Sequence, residues 1–302
     1  MSYVYLIFLF LLLLIPRSAF AWGPGTHLEI GLEILKDLAI LSPFLARLLA
    51  RHPNEFLYGM ISADLPVGKK YAGRLHHSHN WDVAFKILDV SKGSPEKASA
   101  YGYLAHLSSD IVAHNYYIPY MMIASYPARL KNHTYWEARF DAHVRPGVWD
   151  KMGEIVRSDF SAFDAVLEAN LKIPFLSFRT NKRIFNTILA IQRLREVRAA
   201  VKIHSRFSLW PISANERSHY MRLAIETTRD FLKRQREAPC TKGDPSGALC
   251  LKYARGWRDM FRHLVSSGVI ERRDIDGYLK KIRKNLLRHI FREISFEEIL
   301  SG

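Results

Sequence analysis

Apolar residues recur at three- and four-residue steps over 27–49, 98–114, 134–144, 185–202, 216–234 and 275–294. That is the period of one buried helix face. No sustained apolar–polar alternation appears, and no Asn-Gly turn separates β-branched runs, so strands have no support. The pattern predicts an all-α, multi-helix bundle. Ser42-Pro43 interrupts the first stretch, and 54–73, 91–95 and 238–248 read as loops. There is no internal repeat and no low-complexity tract.

Residues 1–21 read as an export signal. An apolar run over 4–15 is broken by Pro16 and followed by Ala19-Phe20-Ala21, which fits the small-residue cleavage rule. The run is shorter than the roughly 20 residues of a comfortable bilayer span, although no Lys or Arg precedes it. Cleavage before Trp22 would leave a periplasmic or secreted chain; an uncleaved anchor is the alternative. The formal charge is +15, falling to +14 when Arg17 is removed. That charge suits an anionic lipid surface or a nucleic acid and does not choose between them. Cys240 and Cys250, the only cysteines, bracket the 238–248 loop. In an oxidising compartment they are expected to pair, with two free thiols as the alternative. Nine of the thirteen histidines fall at or before His143, while the remainder holds most of the Lys/Arg excess. Residues 22–145 therefore read as the half that carries chemistry, and 146–302 as a basic helical half continuous with it.

Within the first half, His106, Asp110 and His114 are spaced four and four in a helical stretch, so they share one face. His133 and Glu137 repeat that spacing. Two such helices facing each other present imidazoles and carboxylates to one cavity, a donor set without thiolate that suits Zn²⁺ in an open site. Upstream stand Asp64 before Pro66, and the cluster His76, His77 and His79, of which one is expected to be a direct ligand. A mature N-terminus at Trp22 would add a free amine and its own carbonyl oxygen, able to close a five-membered chelate with His27 nearby.

The ordered set Trp22, His27, Asp64, His79, His106, Asp110, His114, His133 and Glu137 resembles the bacterial zinc-dependent phospholipase C family. That family shares its helical fold with fungal zinc nucleases acting on single strands. The resemblance covers residues 22 to about 141 and implies up to three zinc ions. His79, His106 and Asp110 would hold one, and His114, His133 and Glu137 a second. The Trp22 amine and carbonyl, His27 and a bridging Asp110 would hold the third. Asp64 would sit beside the first zinc, as an extra ligand or as the base that orients the attacking water. His79 is preferred over His76 and His77 because its separation from Asp64 suits the family. One departure stands out: the family has a longer gap with a Gln-Pro turn where Asp110 and His114 are only four residues apart, so the second position is expected to have altered geometry. The implied reaction is hydrolysis of a phospholipid phosphodiester by a zinc-bound hydroxide.

Other features get plainer readings. His52, His143, His204, His219, His263 and His289 read as structural, and Asp141 as an exposed or capping acid one turn beyond Glu137. Tyr116, Tyr117, Tyr120, Met121, Met122 and Tyr126 read as packing beside the site. The stripe Leu279, Ile282, Leu286, Ile290 and Ile294 reads as docked on the core with its lysines and arginines solvated. The expected partner is a phospholipid headgroup at a membrane surface. Nucleic acid is disfavoured because no aromatic-plus-basic pocket accompanies the ligand segments. A protein that uses zinc only to fold is the rival of another class.

Overall fold

The computed structural model describes residues 22–65, 78–128, 133–171, 176–206 and 208–300. Among them there are helices and no strands, so the all-α expectation holds. Prolines open several helices at the first turn, where a missing N–H costs nothing. These include α1 (Pro24–Leu35), α2 (Pro43–Arg51) and α3 (Pro53–Ser62). Residues 54–62 thus correct the loop reading of 54–73: the run is a helix, and Pro53, which reads as a loop signal, is its N-terminus. The next helix, α4 (Trp81–Val90), starts at Asn80, whose side chain accepts from the backbone N–H of Asp82 and Val83.

The centre of the molecule is α5 (Ser94–Val112), buried at every residue from Ala98 onward. A helix surrounded on all sides needs neighbours on all sides. Those neighbours include α1, α3, α4 and α12 (Ala214–Arg234). The approach of α3 is unusually close. A Cβ on Gly59 would lie 2.0 Å from the Ser99 carbonyl oxygen, and one on Gly102 would lie 2.0 Å from the Phe56 carbonyl oxygen. Glycine at both positions lets the two backbones touch.

Beyond Val112 the helix continues as a π-helical turn, Ala113–Tyr117, and then α6 (Ile118–Ala124). Pro119 accounts for the widened turn. It has no N–H to offer the Asn115 carbonyl one turn back, and its ring crowds that carbonyl. The carbonyl instead accepts from the Cys250 thiol at 3.7 Å.

Next come α7 (His133–Asp141), α8 (Pro146–Arg157) and α9 (Ser161–Asn170). They are followed by α10 (Phe178–Gln192), α11 (Arg195–Arg206), α12, α13 (Ala248–Ser266) and α14 (Ile275–Arg288). Helix α11 packs on α7, and α13 and α14 pack on α6, so the later helices buttress the earlier ones. One apolar cluster runs from Trp22 to Ile299. Ile282, Leu286, Ile290 and Ile294 are buried in it, with Lys280, Lys281, Lys284 and Arg288 exposed, as the stripe predicts. Cys240 and Cys250 are buried free thiols rather than the expected pair. Each is occupied by packing, and Cys250 by its contact with Asn115.

Candidate metal centre

Helix α5 delivers His106 and Asp110 to the interior one turn apart, and both are fully buried. The Asp110 carboxylate is the hub. Its Oδ2 lies 2.9 Å from His79 Nε2 and 3.1 Å from His106 Nε2, and its Oδ1 lies 3.1 Å from His27 Nε2. Asp64, at the end of α3, places Oδ1 3.4 Å from His79 Nε2. A second group forms where the π-helical turn faces α7. There His114 Nε2 is 3.0 Å from His133 Nε2, which is 2.8 Å from Glu137 Oε1. Donor atoms converge as His79–His106–Asp110, His27–Asp64–His106 and His114–His133–Glu137. His114 lies in the π turn, with its Nε2 facing His133 and its ring 6.3 Å between centroids from that of His79.

The other ring nitrogens fix the tautomers. His106 Nδ1 is 2.8 Å from the Met60 carbonyl, and His114 Nδ1 is 2.5 Å from the Pro245 carbonyl. A carbonyl can only accept, so both Nδ1 atoms carry a proton, and in the neutral form of either ring it is the Nε2 lone pair that faces inward. Ser109 gives its hydroxyl proton to the His106 carbonyl at 2.8 Å and so accepts from His27 Nδ1 at 3.2 Å. His27 is therefore also an inward-facing acceptor. Burial, then the neighbouring His106, lowers its pKa to about 4, so it is neutral at pH 7.

His27 Nε2 and both Asp110 oxygens have no hydrogen-bond donor. Lone pairs facing one another at such distances in a dry site repel unless a cation lies between them. Neutral imidazoles and carboxylates without thiolate match zinc. Protonation of His106 is the other way to relieve the repulsion. Burial opposes that charge, but Asp110 and Asp64 outweigh it and raise the His106 pKa. Asp110 is held well below the usual carboxylate range, since His106 and His27 overcome its desolvation.

Trp22 is fully buried. Its indole donates to the Ser109 carbonyl at 3.0 Å and its ring stacks on Tyr117 at 5.1 Å between centroids, which ties residue 22 to the turn bearing Asp110. Residues 1–21, read above as an export signal, and His76 and His77 lie outside the described residues. Asp141 is not exposed. Its carboxylate accepts from Gly25 N at 3.0 Å, Thr26 N at 2.9 Å and Thr26 Oγ1 at 2.5 Å, capping α1 from another helix. Cβ atoms on Gly23 or Gly25 would collide with it, at 2.3 Å and 3.0 Å.

Residues 26–170 match the family model described as zinc dependent phospholipase C. They belong to the zinc-dependent phospholipase C family. The match ends with α9, so the buttressing helices beyond it lie outside the family segment. No curated protein and no solved structure matches the chain.

Several supports of the candidate metal centre carried no sequence signal of their own. The Met60 and Pro245 carbonyls are backbone atoms. Ser78, 3.0 Å from His79 Nδ1, and Tyr103, whose hydroxyl donates to the Ser78 carbonyl at 2.6 Å, stand outside any ligand spacing. Ser109 was detectable only as the neighbour of Asp110.

Proposed function

We propose that this chain is an exported zinc-dependent phosphodiesterase of the phospholipase C type, releasing a phosphorylated headgroup from a phospholipid. The observation that carries the reading is the inward convergence of three tautomer-fixed imidazoles on acceptor groups, within a segment of this family. His79, His106 and Asp110 would hold one ion, and His114, His133 and Glu137 a second. His27 and Asp110, with the mature Trp22 amine and carbonyl, would hold a third. Bound zinc would acidify a water and neutralise charge on the phosphoryl oxygens. Asp64 would orient the attacking water and receive its proton. Ser109, Met60 and Pro245 keep their imidazoles in the lone-pair-inward tautomer.

Engagement of a membrane is supported by residues 176–213, which hold eight Lys or Arg and one acid, Glu196. Leu194, Ile203 and Leu209 are exposed there beside Arg195 and Lys202, and Leu209 is 79% exposed. Apolar side chains among cations suit an anionic bilayer surface. The segment is anchored to the ligand helix through Arg139, which donates to Ser205 Oγ at 2.8 Å and to the Trp210 carbonyl at 2.6 Å.

The test uses chain beginning at Trp22, loaded with zinc, on mixed phospholipid vesicles, followed by phosphorus-31 resonance. A new headgroup monoester, abolished by chelator and by Asp64→Asn with zinc retained, is expected. Cleavage of single-stranded DNA with untouched vesicles would reassign the substrate. Zinc uptake with no turnover on either would leave a structural metal.

A further inference from the structure

We propose that the loop 243–247, beyond the end of the family match, is the positioning element for the second metal position, acting through His114. The inference rests on the metal reading above.

Gly243 to Gly247 close a tight turn, with Gly247 N donating to the Asp244 carbonyl at 3.0 Å. The Asp244 carboxylate holds the turn from inside. Its Oδ1 accepts from Ser246 N at 2.8 Å, and its Oδ2 accepts from Ala248 N at 3.0 Å. Two outside bonds pin the loop: Trp81 Nε1 donates to the Gly243 carbonyl at 3.0 Å, and Asn115 Nδ2 donates to the Asp244 carbonyl at 2.9 Å. Held this way, the Pro245 carbonyl meets His114 Nδ1 at 2.5 Å. That bond fixes the ring's tautomer and its rotation, and leaves Nε2 facing His133.

Gly247 shows why the loop can come so close. Its φ is +54°, in the left-handed region, and a Cβ there would lie 2.5 Å from His114 Cβ and 2.6 Å from the His114 carbonyl oxygen. Any side chain at 247 would push the loop off the histidine. The π-helical turn that carries His114 and the loop that holds it are joined at Asn115, whose side chain and carbonyl both contact the loop or its flank. A partner on the far nitrogen of a metal-binding histidine commonly changes affinity about 10–100-fold.

Gly268 supplies the control. Its φ is +73°, yet a Cβ there would have nothing within 4 Å. Alanine at 268 therefore imposes the same kind of backbone strain with no contact. Zinc alone is titrated into metal-free full chain of wild type, Gly247→Ala, Gly268→Ala and His114→Ala, and stoichiometry and affinity are read. Wild type and Gly268→Ala are expected to bind alike. Gly247→Ala should lose about 10–100-fold in affinity for one ion, the same ion that His114→Ala removes. Wild-type binding by Gly247→Ala, or an equal loss in Gly268→Ala, overturns the proposal. A wild-type chain that takes up no zinc overturns the metal reading itself. Nitrogen-15 spectra of wild-type histidine side chains give an independent check if Gly247→Ala does not fold. A protonated Nδ1 on His114 is expected, and a proton on Nε2 instead overturns the proposal.

Discussion

Replacing Asp141 with Ala probes how the N-terminal helix is held to the site. The carboxylate is the buried cap of α1, taking two backbone N–H groups and the Thr26 hydroxyl. Truncation leaves the Gly25 N–H and the Thr26 hydroxyl without their acceptor, each worth about 1–3 kcal/mol when buried, while Thr26 N keeps the Gly23 carbonyl at 3.0 Å. Part of that is offset, because the ionised carboxylate is itself costly to bury. Burial raises the Asp141 pKa from 3.8 to about 6, against the pull of Thr26 and Gly25. The net cost at pH 7 is then about 2 kcal/mol, or a fall of about 4–8 °C in Tm. The pH dependence has a definite sign. The folded carboxyl keeps its proton to higher pH than the unfolded one, so its contribution is full below 3.8 and lost as pH rises through about 6. The gap between wild type and Asp141→Ala should accordingly be about 1 kcal/mol wider at pH 5 than at pH 7. Urea unfolding of the metal-free chain at the two pH values, read by circular dichroism, measures both quantities. A cost below about 0.5 kcal/mol at pH 7, or a gap that narrows toward pH 5, would refute the capping argument.

Gly102→Ala drives a methyl group into the Phe56 carbonyl. It should separate α3 from α5 at a cost of about 1–3 kcal/mol and draw the Met60 carbonyl away from His106, weakening zinc uptake; an unchanged denaturation midpoint would count against that close packing. Arg139→Met removes the buried guanidinium that ties α7 to Ser205 and Trp210, and takes the donor from the Trp210 carbonyl and the Ser205 hydroxyl. A loss of about 2–4 kcal/mol is expected by denaturant titration, and a neutral effect would show the tether to be dispensable. Arg195→Glu with Lys202→Glu should lower binding to anionic vesicles at least about thirtyfold in co-sedimentation, since each basic residue near such a surface is worth about 1 kcal/mol, while turnover of a soluble short-chain phosphodiester stays unchanged. Equal binding would move the membrane face elsewhere.

The helices announced by period were visible because one face of each is buried. The centre of α5 was harder to interpret, since it is buried on every side and its histidine, serines and aspartate sit inside with Leu104 and Ile111. Helix α3 was hidden by a proline that opens it rather than breaks it. For the site, spacing of four brought His106 near Asp110 and His133 near Glu137, because neighbours at that spacing share a helix face. Spacing could not show that His114 lies in a π-helical segment, because that depends on Pro119 five residues on. Nor could it find the Met60 and Pro245 carbonyls, since a backbone atom has no residue signature. Asp141 read as a surface or capping acid because its partners, Gly25 and Thr26, lie more than a hundred residues earlier.

The most direct test of the central claim is crystallography of the zinc-loaded chain beginning at Trp22, with diffraction recorded across the zinc absorption edge. The account predicts anomalous density bounded by His79, His106 and Asp110, by His114, His133 and Glu137, and by Trp22, His27 and Asp110. Zinc bound elsewhere, or a metal-free site with His106 protonated against Asp110, would contradict it.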